Sequence, residues 1–154
     1  MDKGEPDVAD IMVSAVLSVD VNTKVNDCAK AMAKRGVSCS VVTQANRAVG
    51  IVTERDMVSK VLADAVDAKR VLVRDIMSTP LITVSKDASL TVAAAQMAEY
   101  RIRRLVVIDG QGMMVGIITA GDIARTLAEK HGYREPTFNA LARYKEGAES
   151  GPYQ

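Results

Sequence analysis

The chain has 154 residues, 20 of them basic and 19 acidic, and is 48% hydrophobic but only 3% aromatic. That length allows one compact domain or two small units sharing a core, and a net charge of +1 supplies no field for gathering nucleic acid or an anionic membrane. No apolar run approaches the roughly 20 residues needed to cross a bilayer, the start Met1-Asp2-Lys3-Gly4-Glu5-Pro6 lacks a signal-peptide stretch, and two cysteines are too few for a disulfide framework, so a cytoplasmic protein is expected.

Taken from the N-terminus, the pattern begins with a turn at Asp10-Ile11-Met12 and a short alternating strand from Val16 to Val19. A helix follows, with Val25, Cys28, Ala29 and Met32 on its apolar face at i, i+3, i+4, i+7 spacing. Two apolar runs, 40–43 and 48–52, lead into a second helix from Glu54 to about Ala63. The polar, Ala-rich stretch 64–70 is a linker or a helix extension. The order then starts again: Asp75-Ile76-Met77, a strand from Leu81 to Val84, and a helix with Leu90, Ala93, Ala94 and Met97 on one face. The runs 105–108 and 113–118 are joined by the hairpin signal Asp109-Gly110-Gln111-Gly112, and a helix from Ala120 to about Lys130 closes the copy.

Residue identities repeat with the order. Asp-Ile-Met recurs 65 positions on, Met32-Ala33 matches Met97-Ala98, and Val41-Val42 matches Val106-Val107. After one extra residue in a turn, Gly50-Ile51 matches Gly116-Ile117, Thr53 matches Thr119, and Asp56 matches Asp122. The body is a tandem duplication, residues 8–65 and 72–130, of a β-α-β-β-α unit. This is the α/β (α+β) class, and since one unit has too little core alone, the two are expected to pack sheet against sheet. Of the five aromatics only Tyr100 precedes residue 131, so the core is aliphatic and the tail, 131–154, differs in kind. Pro136-Thr137 could start a short docking helix bearing Phe138 and Leu141, and 146–154 is expected to be disordered.

The strongest local motif ends the last strand of each copy: Gly50-Ile51-Val52-Thr53-Glu54-Arg55-Asp56 and Gly116-Ile117-Ile118-Thr119-Ala120-Gly121-Asp122. A strand runs into a helix whose unpaired N–H groups favour a phosphate. A Thr hydroxyl there can donate to a phosphate oxygen, and a carboxylate can accept from a ribose diol. The same Thr-x-x-Asp spacing also resembles a capping box, which needs no ligand. The preceding glycine allows close backbone approach. Arg101, Arg103 and Arg104 form the one basic cluster of the body. Guanidinium forks suit phosphate, while a solvated strand edge would use the same residues to discourage edge pairing. Copy one has only Ser38 and Cys39 where copy two has Arg103 and Arg104. Cys28 lies on an apolar helix face and is expected to be core.

The order Asp-Ile-Met, strand, helix, two strands, Gly-Ile-x-Thr-x-x-Asp, helix resembles the cystathionine-β-synthase-type (CBS) domain, and the tandem pair resembles a Bateman module over residues 8–130. The resemblance implies two half-buried clefts related by a pseudo-twofold axis, taking AMP, ADP, ATP or S-adenosylmethionine as ligand, with no cofactor required. It implies that Asp56 and Asp122 hold ribose hydroxyls and that Thr53 and Thr119 contact ribose or phosphate. Adenine would lie between aliphatic side chains and backbone at Val16, Leu17 and Ser18 or at Leu81, Ile82 and Thr83. The start of the second strand, Val37 and Ser38 or Ile102, Arg103 and Arg104, would complete each cleft, and a cleft can borrow residues from the other copy. Ser40 and Leu105 stand where many members have proline.

Three functions follow as expectations. The first is a ligand-sensing regulatory module without catalytic residues, acting as a homodimer on a separate protein. The second is an interaction protein with vestigial clefts that works through its tail. The third is a nucleotide-processing enzyme, which lacks a general-base histidine in the body, a metal-ligand cluster and a P-loop. Neither a nucleic-acid partner nor a membrane is expected.

Overall fold

The computed structural model describes residues 4–130, so the expected docking helix and disordered end of the tail lie outside the described residues. In chain order the elements are α1 (Val8–Ile11), β1 (Ser18–Asp20), α2 (Val25–Arg35), β2 (Cys39–Gln44), β3 (Arg47–Thr53) and α3 (Glu54–Met57). A π-helical turn, Val58–Leu62, continues α3. The second copy follows with α4 (Val73–Ile76), β4 (Thr83–Ser85), α5 (Leu90–Tyr100), β5 (Arg104–Ile108), β6 (Met114–Thr119) and α6 (Ala120–Lys130). Each copy makes a three-stranded sheet, β1-β2-β3 and β4-β5-β6, whose first pair is parallel and second antiparallel.

The differences from the sequence reading have local causes. The first strands begin two residues late, at Ser18 and Thr83, because only from there do they pair with Val41 and Val106. The turns at Asp-Ile-Met are short helices. The Asp10 carboxylate accepts from the Asp7 N–H at 2.9 Å, and the Asp75 carboxylate from the Leu72 N–H at 3.1 Å, so each aspartate closes its own turn. The second helix of copy one widens into the π turn after Met57, and this arrangement keeps Val61 buried. Ala94 faces solvent and Ala29 is half-buried, since α2 and α5 bury mainly Val25, Cys28 and Met32, and Leu90, Ala93 and Met97. Burial pushes the Cys28 thiol up, against a smaller opposing effect from Ser40.

Two aliphatic cores result, and each draws on both copies. Val8, Ile11 and Met12 pack with Val84, Leu90, Leu105 and Ile118 of copy two. Val73, Ile76 and Met77 pack with Val21, Val25, Val42 and Val52 of copy one. Backbone bonds hold these exchanged turns: Val8 N–H to Ala88 O at 2.8 Å, and Val73 N–H to Thr23 O at 2.8 Å. Side chains alternate along a strand, so Val41 and Val106 lie opposite Val42 and Val107. Both are fully buried yet belong to neither helix-side core, which places them between the two sheets.

Candidate functional site

Thr53 ends β3 and Thr119 ends β6, and each begins the following helix. Asp56 Oδ2 accepts from the Thr53 N–H at 2.9 Å and the Thr53 Oγ1–H at 3.0 Å, and the Asp56 N–H donates back to Oγ1 at 3.2 Å. Asp122 repeats this with Thr119 at 2.9, 2.7 and 3.2 Å. The capping box is therefore formed in both copies. Both carboxylates are nearly buried, at 8% and 5% exposure, and each has a cation beside its other oxygen. Lys60 Nζ lies 3.0 Å from Asp56 Oδ1 and also donates to the Ile76 carbonyl, whereas Arg125 Nη2 lies 3.6 Å from Asp122 Oδ1. A carboxylate offers about four acceptor positions, so the cap leaves Asp56 Oδ1 able to accept a ligand hydroxyl.

Beside Asp56 opens a cleft of about 640 Å³, and it is assembled from both copies. Copy one contributes Ser38, Ile51, Thr53, Glu54, Arg55 and Asp56, and copy two contributes Leu81, Ile82, Arg101, Ile102, Arg103, Arg104 and Val106, with Ser78 and Pro80 leading in. The crossing segment is held by reciprocal bonds between Ile51 and Ser78, at 3.3 and 2.8 Å. Glu54 N–H bonds the Ser38 carbonyl at 3.1 Å, and Arg104 Nη2 donates to Ser38 Oγ at 2.8 Å, tying the start of one sheet to the other.

Eight of the residues singled out from sequence thus meet in one cleft: Thr53, Asp56, Ser38, Leu81, Ile82, Ile102, Arg103 and Arg104. The others stand apart from it. Thr83 opens β4 opposite Val106. Leu17 offers its carbonyl to Val41 N–H and Ser40 Oγ. Ser18 opens β1, Val16 is half-buried, and Val37 packs on the first core. With Thr119 and Asp122, the four copy-one residues Val16, Leu17, Ser18 and Val37 occupy the repeat-equivalent positions; the bridge Val13↔Ile117 there matches Ile51↔Ser78 here.

Sequence reasoning missed Glu54, Arg55, Ser78, Pro80, Ile51 and Val106 as cleft residues, and Arg101, for which two readings stood open, lines the cleft as well. Glu54 and Arg55 stood inside the motif already singled out, so their signal was present. Ser78 and Pro80 reach the cleft only through the exchange of segments. Of the three arginines only Arg104 lies within a strand, at the start of β5 and two residues before its pairing with β4 begins. Arg101 caps α5 in the left-handed region at φ 53°, where copy one has Gly36 at φ 62°.

The CBS domain family model matches residues 8–63 and 73–129. The chain belongs to the CBS domain family. An uncharacterized protein of Methanopyrus kandleri is 40% identical over 60% of this chain, a match that takes in 47% of the relative, so the chain spans about half the length of that protein. CBS domain-containing protein YhcV of Bacillus subtilis is 32% identical over 76% of this chain and 82% of its own. Among solved structures, the CBS domain pair of protein MJ0100, in complex with 5′-methylthioadenosine and S-adenosyl-L-methionine, is 28% identical, covers 82% of this chain and 98% of that one, and superposes with a TM-score of 0.73. Among the described residues no cluster of His, Cys, Asp and Glu is arranged to hold a metal, and no helix is long and apolar enough to cross a membrane.

Proposed function

We propose that this CBS pair is a regulatory module that binds an adenosyl ligand at the Asp56 cleft and reports its presence to a separate protein. The observation that carries the reading is the cleft's two-sided construction. Asp56 and Thr53 come from one copy, and Leu81, Ile82 and the arginine segment from the other. A ligand touching both sides binds one relative setting of the copies better than another, which is what a population shift requires. Ile82, Leu81 and Ile102 offer aliphatic surface for a purine face, Asp56 Oδ1 accepts a ribose hydroxyl, and the start of α3 lies beside the phosphate position. The bound adenosyl ligands of the MJ0100 pair support this class of ligand. Thr119 and Asp122, with Val16, Leu17, Ser18 and Val37, form the pseudo-symmetric second position.

In this reading the protein is cytoplasmic, has no catalytic residues and works as a homodimer, for which the exposed Val58 and Leu62, one turn apart on the π-helical segment, supply apolar surface. Calorimetry with AMP, ADP, ATP, S-adenosylmethionine and 5′-methylthioadenosine tests it. At least one is expected to bind, and Asp56→Ala is expected to weaken it about tenfold or more. A folded protein that binds none of the panel overturns the reading.

A further inference from the structure

The two halves have the same backbone but different charge around their Thr-x-x-Asp turns. Arg55, Arg101, Arg103 and Arg104 all line the Asp56 cleft, facing only Glu54 and Asp56 among its carboxylates. Among the described residues none of the four arginines is ion-paired, and Arg104 bonds only a neutral hydroxyl, Ser38. Asp56 is already neutralised by Lys60 at 3.0 Å. The cleft therefore carries an excess of positive charge with guanidinium forks directed to no protein anion. The repeat equivalents of the four arginines are Gly121, Gly36, Ser38 and Cys39, all uncharged, although the Arg103 carbonyl also accepts from the Ala120 N–H and Arg125 stands beside Asp122. Arg101 also sits in a left-handed backbone conformation that favours the glycine copy one has there, so a strained position at the cleft carries a charge.

We infer that the Asp56 cleft is selective for phosphorylated adenosine, a nucleotide bearing at least two negative charges, over adenosyl thioethers and sulfonium compounds. The inference rests on the adenosyl reading above and narrows it to one ligand class. Guanidinium groups bind phosphate oxygens through charge-assisted, often bidentate hydrogen bonds. 5′-Methylthioadenosine offers no anion to replace the water lost from those groups, and S-adenosylmethionine sets a sulfonium and an ammonium against its single carboxylate.

Calorimetry on the full chain with ATP, 5′-methylthioadenosine and inorganic tripolyphosphate, at low and at high salt, is the test. ATP is expected to bind at least about tenfold more tightly than 5′-methylthioadenosine, and salt to weaken ATP but not 5′-methylthioadenosine. Arg101→Gly with Arg103→Ser installs the residues copy one uses at those positions, and circular dichroism checks its fold. This variant is expected to lose most of the ATP advantage, with ATP weakened by a larger factor than 5′-methylthioadenosine. ATP binding no tighter than 5′-methylthioadenosine, or ATP binding undiminished in the folded variant, overturns the selectivity while leaving the adenosyl reading standing. Salt-sensitive tripolyphosphate binding that the variant abolishes, with the whole adenosyl panel silent, upholds the arginines as a phosphate site and overturns the nucleoside reading instead. Should neither tripolyphosphate nor ATP bind, the inference is overturned outright.

Discussion

A Cβ added at Gly50 would stand 2.7 Å from Met77 Sδ and 3.0 Å from the Ser78 carbonyl oxygen; at Gly116 it would stand 2.7 Å from Met12 Sδ and 2.9 Å from the Val13 oxygen. The methionine can swing aside. The carbonyls cannot, because Ser78 and Val13 are tied by paired backbone bonds to Ile51 and Ile117. Gly50→Ala and Gly116→Ala are each expected to cost about 1–3 kcal/mol in urea unfolding. Met77→Ala in the Gly50→Ala background is expected to recover only part of that loss. Unchanged midpoints would mean that the crossing chain yields more easily than its bonds imply. The sequence marked these glycines as places of close approach, and the approaching group is the protein's own chain. The Asp-Ile-Met motif is likewise accounted for residue by residue: the aspartate caps the turn, the isoleucine joins a core, and the methionine covers a glycine of the other copy.

At the scale of single elements, turns and caps separate what is intrinsic from what is imposed. The two-residue turn between β2 and β3 holds Ala45 at φ 49° and Asn46 at φ 63°, the left-handed pair of a type I′ hairpin. Asparagine tolerates that region and alanine does not. Ala45→Gly is therefore expected to raise stability by up to about 1 kcal/mol, and Arg101→Gly to do the same, whereas Gly36→Ala is expected to lower it. Thermal melts of the three variants check the signs; a loss of stability in both Gly variants would show that their side chains contribute more than the backbone strain costs. Helix faces were legible from spacing at Val25, Cys28 and Met32 but not at Ala94. Alanine marks neither face, and α5 is apolar nearly all round.

For the molecule as a whole, the exchange of α1 and α4 makes each core depend on the other copy. Removing residues 1–13 takes Val8, Ile11 and Met12 from the second core and the Val13–Ile117 bridge from β6. The shortened chain is expected to lose about 3 kcal/mol or more, with both copies still melting in one transition by circular dichroism and by exposure of Cys28 to a thiol reagent. Two separated transitions would show that the cores are independent. The amino-acid order by itself determined the duplication, the strand and helix order of each copy, its aliphatic cores and the capped strand-to-helix junctions, because these rest on periodicity and on bonds spanning three or four residues. It also contained every charge of the Asp56 cleft. Only the tertiary structure decided that Arg103 and Arg104 line the cleft beside Asp56, and that Ser78 and Pro80 belong beside Thr53. Two nearly identical cores compete for each Asp-Ile-Met turn. The choice between them depends on how the sheets meet and how the segments cross, a long-range contact that no local pattern encodes.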